Sequence, residues 1–238
     1  MTITKLKTYK FFEDKTIKKL ILLPNQGHCN HNYLLQTKNQ NYLLREFKLT
    51  NDRKSEFKIQ KKVSKKAIGS KPIIIDETKG FMLCEFIEGK HKVKLTQQEL
   101  KKLAKLLKKL HHIKDNKKVL LLKKYFKFKD KEVNNAFISL KKEPKELRLC
   151  HNDLHSKNIL FYKKNIKFID WEYAGVNDLY FDLVSIIIEY KLNKKDESSF
   201  LKAYFYRKKI NLKKITAYKI IYKELWRVWF EKLDKGEL

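Results

Sequence analysis

The chain is poor in cysteine and has no long apolar run. Its three cysteines are odd in number and lack the spacing of a metal site, which predicts reduced thiols in the cytoplasm. The longest apolar runs, such as residues 119–122, are far too short to cross a bilayer, and the first residues contain no apolar stretch of signal-peptide length. We therefore expect a cytoplasmic protein without a membrane span, and 238 residues suffice for one domain or two lobes.

Arginine is also scarce, although the net charge is +29. Of the 56 basic residues five are arginine, and the 51 lysines are spread along the chain rather than gathered in one stripe. Strongly basic chains often bind nucleic acid or anionic surfaces, but arginine is the residue that makes forked contacts to phosphates and base edges. A general preference for lysine on the surface explains the composition more simply, so we expect no dedicated nucleic-acid binding.

Apolar and alternating runs predict strands in the first part of the chain and helices in most of the rest. The strand candidates are residues 17–23, 33–37, 42–47, 72–75 and 81–87. Asp52 is a plausible N-cap for a helix over residues 52–63. Thr96 and Glu99 form a capping box before a leucine-rich helix, after which we expect mainly helices and a few short strands.

The chain lacks the G-x-x-x-x-G-K-[ST] motif of P-loop enzymes but carries another phosphate-transfer pattern. His151, Asp153 and Asn158 stand in the segment H-N-D-L-H-S-K-N, and Asp170 follows the mostly apolar residues 166–169. Phosphoryl transfer needs a carboxylate that accepts a hydroxyl proton and oxygen ligands that hold Mg²⁺ against the phosphates. Asp153 fits the base, and Asn158 and Asp170 fit the metal ligands. The pattern predicts a kinase that uses ATP and Mg²⁺.

His151 and His155 are four residues apart and could share a metal if they lay on a helix. The segment around them reads as a loop, Asp153 between them fits the base, and no glutamate completes an H-E-x-x-H motif. We expect His151 to brace the loop and His155 to face the substrate.

This loop and the residues after it resemble one kinase family. Asn152 follows the histidine, and Trp171 and Glu172 follow the metal-binding aspartate, where protein kinases usually carry arginine and Phe-Gly. In these positions the chain resembles the choline/ethanolamine kinase branch of the aminoglycoside phosphotransferase-like kinases, in the protein-kinase-like superfamily. The resemblance implies an α+β, bilobal fold. A small β-rich N-terminal lobe (residues 1–88) would bind the nucleotide, and a larger, mainly helical C-terminal lobe (residues 89–238) would bind the substrate and carry the catalytic loop.

The resemblance also implies a nucleotide site in the N-terminal lobe. Arg45 stands where kinases place the basic residue that pairs with ATP phosphates, and Glu56 is its candidate ion-pair partner. Without the family context, Glu56 would be an ordinary exposed helix residue and Gly27 a simple turn residue. The expected ATP-binding residues are Gly27 and Asn30 near a phosphate-covering turn, Arg45, Glu56, and Glu85 and Ile87 in the hinge between the lobes.

An ammonium-binding pocket is the further implication. Trp226 and Trp229 are three residues apart on a long predicted helix and share a face, which resembles the aromatic wall of choline kinases. Aromatic residues at helical spacing also form cores, and that alternative stays open. Glu189 aligns with a family carboxylate that attracts the ammonium group, and Glu172 is a candidate for a metal or water-mediated contact. The expected substrate-binding residues are His155, Glu172, Glu189, Tyr222, Trp226 and Trp229.

Together these residues predict an ATP-dependent kinase for the hydroxyl of a small amino alcohol, choline or ethanolamine, in a monomer or homodimer. Thiamine and aminoglycoside kinases share the same catalytic residues and remain alternatives, although a lysine-rich C-terminal region disfavours the polycationic aminoglycosides. The alternative of another class is a non-catalytic basic module that binds RNA or an anionic surface.

Overall fold

The structure is a computed structural model that describes residues 1–24, 26, 29–49, 52–115, 119–120, 122, 126 and 130–236. The chain divides into two compact units. The first unit comprises Met1–Lys90 with Ile169–Glu172, and the second comprises His91–Phe168 with Tyr173–Leu238. The short segment that carries Asp170 therefore packs with the first unit, although it lies far along the chain.

The first unit contains a five-stranded antiparallel sheet. Its elements are α1 (Ile3–Lys7), a 3-10 helix (Lys10–Phe12), β1 (Ile17–Leu22), β2 (Asn30–Thr37), β3 (Asn41–Phe47), α2 (Arg53–Lys65), β4 (Pro72–Asp76) and β5 (Phe81–Glu85). The strand order is β1-β2-β3-β5-β4. All five strands lie where the sequence predicts them. However, β5 ends at Glu85 rather than Ile87, because its partner β3 begins only at Asn41, whose carbonyl accepts the last bond, from the amide of Phe86.

The two faces of β3 serve different purposes. Tyr42 and Leu44 point into an apolar core that includes Leu6 and Phe81. Side chains alternate along a strand, so Arg45 points to the opposite face. This alternation turns a charged side chain away from the apolar core and towards the polar residues of α2.

Helix α2 begins as predicted, because the side chain of Asp52 accepts a hydrogen bond from the amide of Ser55 at 3.0 Å. The buried face of this helix carries polar side chains near its start and apolar ones further on. Its buried residues are Arg53, Glu56, Ile59, Gln60 and Val63. The first turn therefore directs two charged groups into the protein, and such groups need partners.

The second unit is mainly helical. Its elements are α3 (Gln97–His111), α4 (Lys131–Lys141), β6 (Leu147–Cys150), a 3-10 helix (Ser156–Asn158), β7 (Ile159–Tyr162), β8 (Asn165–Phe168), β9 (Gly175–Asp178), α5 (Tyr180–Glu189), α6 (Lys194–Phe205) and α7 (Leu212–Asp234). β6 pairs with β9, and β7 with β8, both antiparallel. The predicted capping box of Thr96 and Glu99 opens α3. A β-rich first unit and a helical second unit confirm the predicted α+β class.

Helix α5 is the centre of the second unit, with eight of its residues buried. It packs against α7, and the loop between β6 and β7 lies beside its first turn. Within the described ranges, the helices are all too short or too polar to cross a membrane.

Candidate active site

The predicted ion pair between Arg45 and Glu56 is present. Arg45 lies in the middle of β3, opposite Asn32 on one side and Met82 on the other. Its Nη1 bonds to Oε1 of Glu56, and both side chains are almost fully buried. Burial by itself would lower the pKa of Arg45, but the charges of Glu56 and Asp170 outweigh it and raise that pKa. The guanidinium therefore stays charged.

Asp170 is the second partner of this guanidinium. Its Oδ1 accepts a hydrogen bond from Nη2 of Arg45 at 2.7 Å, and about a third of its side chain is exposed. The backbone of Asp170 has a φ of 63°, a left-handed conformation that aspartate tolerates better than most residues. The left-handed backbone at Asp170 thus directs this carboxylate towards Arg45, and both residues belong to the first unit.

Arg53 is a central member of the site that the sequence prediction missed. Its Nη1 donates to Oε2 of Glu56 at 2.9 Å and to Oε2 of Glu172 at 3.2 Å. Its guanidinium also lies 4.4 Å from the centre of the Phe47 ring. One signal in the sequence pointed to it: it is an arginine in a chain that otherwise prefers lysine, and a planar fork can serve two carboxylates at once.

Glu172 belongs to this ion-pair network rather than to the aromatic side chains with which the sequence grouped it. Its side chain is 5% exposed and contacts Arg53. Burial raises its pKa, and the nearby charge of Asp170 raises it further, while Arg45 and a hydrogen bond with the Cys29 side chain oppose the shift. A role of Glu172 towards substrate or metal stays a prediction.

The remaining predicted nucleotide residues lie around the sheet. Gly27 lies outside the described residues. Asn30 is buried at the start of β2, opposite Phe47. At the end of β5, the amides of Glu85 and Phe86 bond to carbonyls within the first unit. A contact of Glu85 or Ile87 with a nucleotide base stays a prediction.

In the second unit, Asp182 anchors the loop that the sequence marks as catalytic. Its two carboxylate oxygens accept the amide N–H groups of His151 at 2.8 Å and Asn152 at 2.9 Å. Nε2 of His111 lies 3.1 Å from the same carboxylate, and Nδ1 of His111 lies 2.6 Å from the hydroxyl of Tyr204. The sequence analysis assigned Asp182 no role.

Asn152 and His151 complete this anchor. Asn152 has a φ of 66°, and its side chain donates to the carbonyl of Tyr173 and accepts from the side-chain Nδ2 of Asn177. His151 is fully buried, with its ring 6.1 Å from that of Phe168. This packing agrees with a bracing role, and backbone amides of the loop and the Asn152 side chain add the hydrogen bonds described above.

Asp153 and Asn158 meet directly. Nδ2 of Asn158 donates to Oδ2 of Asp153 at 2.8 Å and to its carbonyl oxygen at 2.9 Å. Nε2 of His155 lies 3.7 Å from the same Oδ2, and Nδ1 of His155 accepts the amide N–H of Lys157 at 3.2 Å. The 3-10 helix after His155 therefore fixes both side chains around the Asp153 carboxylate.

The predicted aromatic residues lie next to this loop. The Trp226 ring packs edge-on against His155 at 6.0 Å and against Trp229 at 5.6 Å, and it stacks on Phe230 at 5.5 Å. Trp226 and Trp229 are only partly buried and Phe230 is exposed. Tyr222 is different, because it is 2% exposed and bonds through its hydroxyl to Oε1 of Glu189 at 3.1 Å. The two tryptophans are thus not core residues, whereas the ring of Tyr222 is.

Comparisons with known proteins identify the family. Residues 25–224 match the sequence model of the choline/ethanolamine kinase family. The chain belongs to the choline/ethanolamine kinase family. No curated protein sequence matches it at a significant level.

Solved structures show the same fold. The choline kinase LicA from Streptococcus pneumoniae is 22% identical over 99% of this chain and 92% of its own, with a TM-score of 0.80. The Plasmodium vivax ethanolamine kinase Pv091845 is 22% identical over 93% of this chain and 77% of its own, with a TM-score of 0.76. A spectinomycin phosphotransferase, solved with ADP and spectinomycin, is 15% identical over 94% of this chain and 85% of its own, with a TM-score of 0.71. These likenesses confirm the kinase-like fold, and family membership supports an ATP-dependent small-molecule kinase.

The two predicted magnesium ligands, Asn158 in the second unit and Asp170 in the first, each offer an oxygen atom that suits this ion. The amide nitrogen of Asn158 makes both bonds to Asp153, so its amide oxygen, the atom that Mg²⁺ would use, is not spent on that contact. Asp170 offers a partly exposed carboxylate whose described partner is a cation. Hard oxygen donors of this kind are what Mg²⁺ prefers.

Proposed function

We propose that this kinase transfers the γ-phosphoryl group of ATP to the hydroxyl of choline or ethanolamine. The observation that carries the proposal is the contact of His155, in the catalytic loop, with Trp226 in the aromatic cluster. The cluster also lies beside a carboxylate, Glu189, through Tyr222. An aromatic surface and a carboxylate next to a candidate base suit a small cation that carries a hydroxyl group.

The first unit would bind the nucleotide, as predicted for residues 1–88. Arg45 would neutralise phosphate charge, with Glu56 orienting it, and the backbone near Ile87 would meet the base. Asn30 and Gly27 would lie close to the phosphates. A guanidinium suits this role because it remains charged and offers several donors in one plane.

In the second unit, Asp153 would accept the proton of the substrate hydroxyl. The hydroxyl oxygen would attack the γ-phosphorus, the bond from phosphorus to the bridging oxygen would break, and ADP would leave. Asn158 holds the Asp153 carboxylate in position through its amide nitrogen. Asn158 and Asp170 would hold Mg²⁺, which when bound supplies charge neutralisation at the phosphates. His155 and Glu189 would orient the acceptor. We place this reaction in the cytoplasm, in a monomer or homodimer.

Two other functions remain to be tested against this one. Thiamine and aminoglycoside kinases share the fold and the catalytic residues, but aminoglycosides are polycations and would have to bind beside the many lysines of α6 and α7. A non-catalytic basic module is the alternative of another class. A module of that kind would not explain why Asp153 pairs with Asn158 and Arg45 pairs with Asp170.

The test is ADP release from Mg-ATP in the presence of choline, ethanolamine, thiamine or kanamycin. We expect turnover with choline or ethanolamine and background rates with the other two. Turnover restricted to thiamine or kanamycin would replace the substrate assignment. Salt-sensitive RNA binding without ADP release on any acceptor would favour the non-catalytic module.

A further inference from the structure

Arg53 bonds to two carboxylates that lie far apart along the chain. Its Nη1 donates to Oε2 of Glu56 on α2 and to Oε2 of Glu172, in the segment after β8. Glu56 bonds through its other oxygen to Arg45, and Glu172 lies two residues after Asp170. Arg53 therefore connects the proposed phosphate-binding guanidinium to the proposed metal-binding carboxylate by a path that does not use their direct bond.

The guanidinium of Arg53 is itself held in a fixed plane. Its side chain is 3% exposed, and its Cζ lies 4.4 Å from the centre of the Phe47 ring. Its Nη2 donates to the carbonyl oxygens of Cys29 and Leu49, both at 3.4 Å. The ring and the two carbonyls fix the plane of the guanidinium, so that Nη1 presents its donors to the carboxylates in one geometry. A lysine ammonium, a point charge on a flexible stem, cannot reproduce this arrangement.

The path through Arg53 matters because the direct bond between Arg45 and Asp170 would be replaced during the reaction. That bond joins Nη2 of Arg45 to Oδ1 of Asp170 at 2.7 Å. In the proposed function, Arg45 turns to phosphate oxygens and Asp170 to a metal ion. Phosphoryl transfer depends on the positions of the groups that bind phosphate and metal. The bonds of Arg53 to Glu56 and Glu172 use other atoms, so they can persist while both ligands are bound.

We propose that Arg53 is a positioning residue that keeps Arg45 and Asp170 at a fixed spacing when phosphate and metal bind between them. The inference rests on the proposed function, in which Arg45 binds the nucleotide phosphates and Asp170 binds Mg²⁺. Arg53 acts on Arg45 through Glu56, and it acts on Asp170 through Glu172. Residues that orient a metal ligand commonly change metal affinity tenfold or more, although they do not contact the ion.

The variant Arg53→Lys tests this role, because it keeps the positive charge and loses the planar fork. The Kd for metal-free ADP, measured by calorimetry, should rise about two- to tenfold, the size of one lost hydrogen bond. Mn²⁺ takes the same oxygen ligands as Mg²⁺, and its Kd, measured from the electron-spin-resonance signal of the free ion, should rise about tenfold. A role through charge alone, or through stability alone, would leave both constants at the wild-type value in the folded variant.

Two further variants separate position from charge. Phe47→Leu removes the ring beside the Arg53 guanidinium but no charge, so both constants should rise in the same direction, about two- to fivefold. Lys54→Met is the matched control, since Lys54 follows Arg53 on α2 but is 73% exposed and pairs with Glu77 at 2.9 Å. It removes one positive charge from the same turn and should change neither constant.

Wild-type Kd values for ADP and Mn²⁺ in folded Arg53→Lys would overturn the proposal, even if the melting temperature fell. If that variant did not fold, unchanged constants in Phe47→Leu would overturn it instead. Equal rises in Lys54→Met would assign the effect to charge and would also contradict a positioning role. The proposed function fails in a different way: a wild-type protein that bound neither ADP nor Mn²⁺ would refute the nucleotide and metal assignments, and this inference with them.

Discussion

Buried charged side chains in the first unit bond mainly to one another, whereas the carboxylates that organise the second unit bond to backbone amides. The set in the first unit is Arg45, Arg53, Glu56, Asp170 and Glu172. In the second unit, Asp182 accepts two amide N–H groups of the candidate catalytic loop, and Asp178 accepts those of Glu146 and Tyr180. The two regions therefore hold their functional groups in place by different means.

This difference has a physical consequence. A carboxylate held by backbone amides keeps its position whichever side chains surround it. A member of an ion-pair set depends on every partner, because removal of one charge leaves another buried and uncompensated. The charged groups of such a set can also exchange one ionic partner for another at little desolvation cost, because they are already largely removed from water. In the proposed function, phosphate oxygens would take the place of Asp170 on Arg45, and a metal ion would take the place of Arg45 on Asp170.

Asp170→Ala should have the largest effect, because it removes both a proposed metal ligand and a partner of Arg45. We expect kcat to fall about 10³-fold or more, since a catalytic metal ion contributes several kcal/mol of charge stabilisation. Titration of ADP release with Mg²⁺ measures the loss, and high Mg²⁺ should restore activity in part at best. Asp170→Asn is the control, because its amide oxygen can still accept the bond from Arg45. It should also be inactive but melt near the wild-type temperature. A wild-type Mg²⁺ curve for either variant would show that Asp170 is structural.

Asp153→Asn tests the loop of the second unit, which is held to Asp182 through backbone amides. The amide oxygen of the new side chain can still accept from Asn158, so the loop should keep its shape while the proton acceptor is lost. We expect kcat to fall about 10²- to 10⁴-fold, the range of general-base catalysis. The Kd for ATP, measured by calorimetry, should change little. Near-normal turnover would rule out Asp153 as the base.

Arg53→Met should break the ion-pair set and destabilise the protein. It leaves Glu56 and Glu172 buried without a shared cation, and we expect a loss of about 3–5 kcal/mol in the free energy of unfolding. Arg53→Lys should lose less, because an ammonium keeps the charge but cannot serve two carboxylates as a planar fork does. Chemical denaturation measures both.

Arg227→Met is the matched control for Arg53. Arg227 also pairs with two carboxylates, Glu224 and Glu231, but 56% of its side chain is exposed. Exposed ion pairs contribute little to stability, so this variant should unfold close to the wild type. Equal losses for Arg53→Met and Arg227→Met would mean that burial does not set the strength of the network.

Local patterns in the sequence were enough to predict much of the fold. The strands, the cap at Asp52 and the capping box at Thr96 depend on neighbouring residues, and each is where the sequence places it. The pair Arg45 and Glu56 was also predictable, because the two lie eleven positions apart on consecutive elements and match a kinase pattern. Short-range signals of this kind are readable without a structure.

The contacts that define the site were not predictable in this way. Arg45 meets Asp170 across 125 positions, and Arg53 meets Glu172 across 119. Asp182 reaches the loop across about thirty. Spacing along the chain carries no information about such pairs. The likeness to a family identified several of the partners, but not which side chain each would contact. It therefore grouped Glu172 with the substrate residues and assigned Arg53 no role.

Trp229→Leu should have the smallest effect on activity of the variants considered. It tests whether the aromatic cluster of the second unit binds the substrate. Leucine keeps apolar bulk but lacks the ring quadrupole, and a cation–π contact contributes roughly 0.5–2 kcal/mol. KM for choline should therefore rise about two- to thirtyfold, and Trp226→Leu should behave in the same direction. Because both tryptophans are partly exposed, the melting temperature should fall only slightly.

The control for this last variant is Trp229→Phe, which restores a ring at the same position. It should recover most of the choline KM, whereas a purely apolar role would make leucine and phenylalanine equivalent. KM for ATP should stay at the wild-type value in all three variants, because the proposed nucleotide residues lie in the first unit. A marked loss of thermal stability with an unaltered choline KM would mean that these tryptophans support packing. The ammonium site would then have to be sought elsewhere around Glu189.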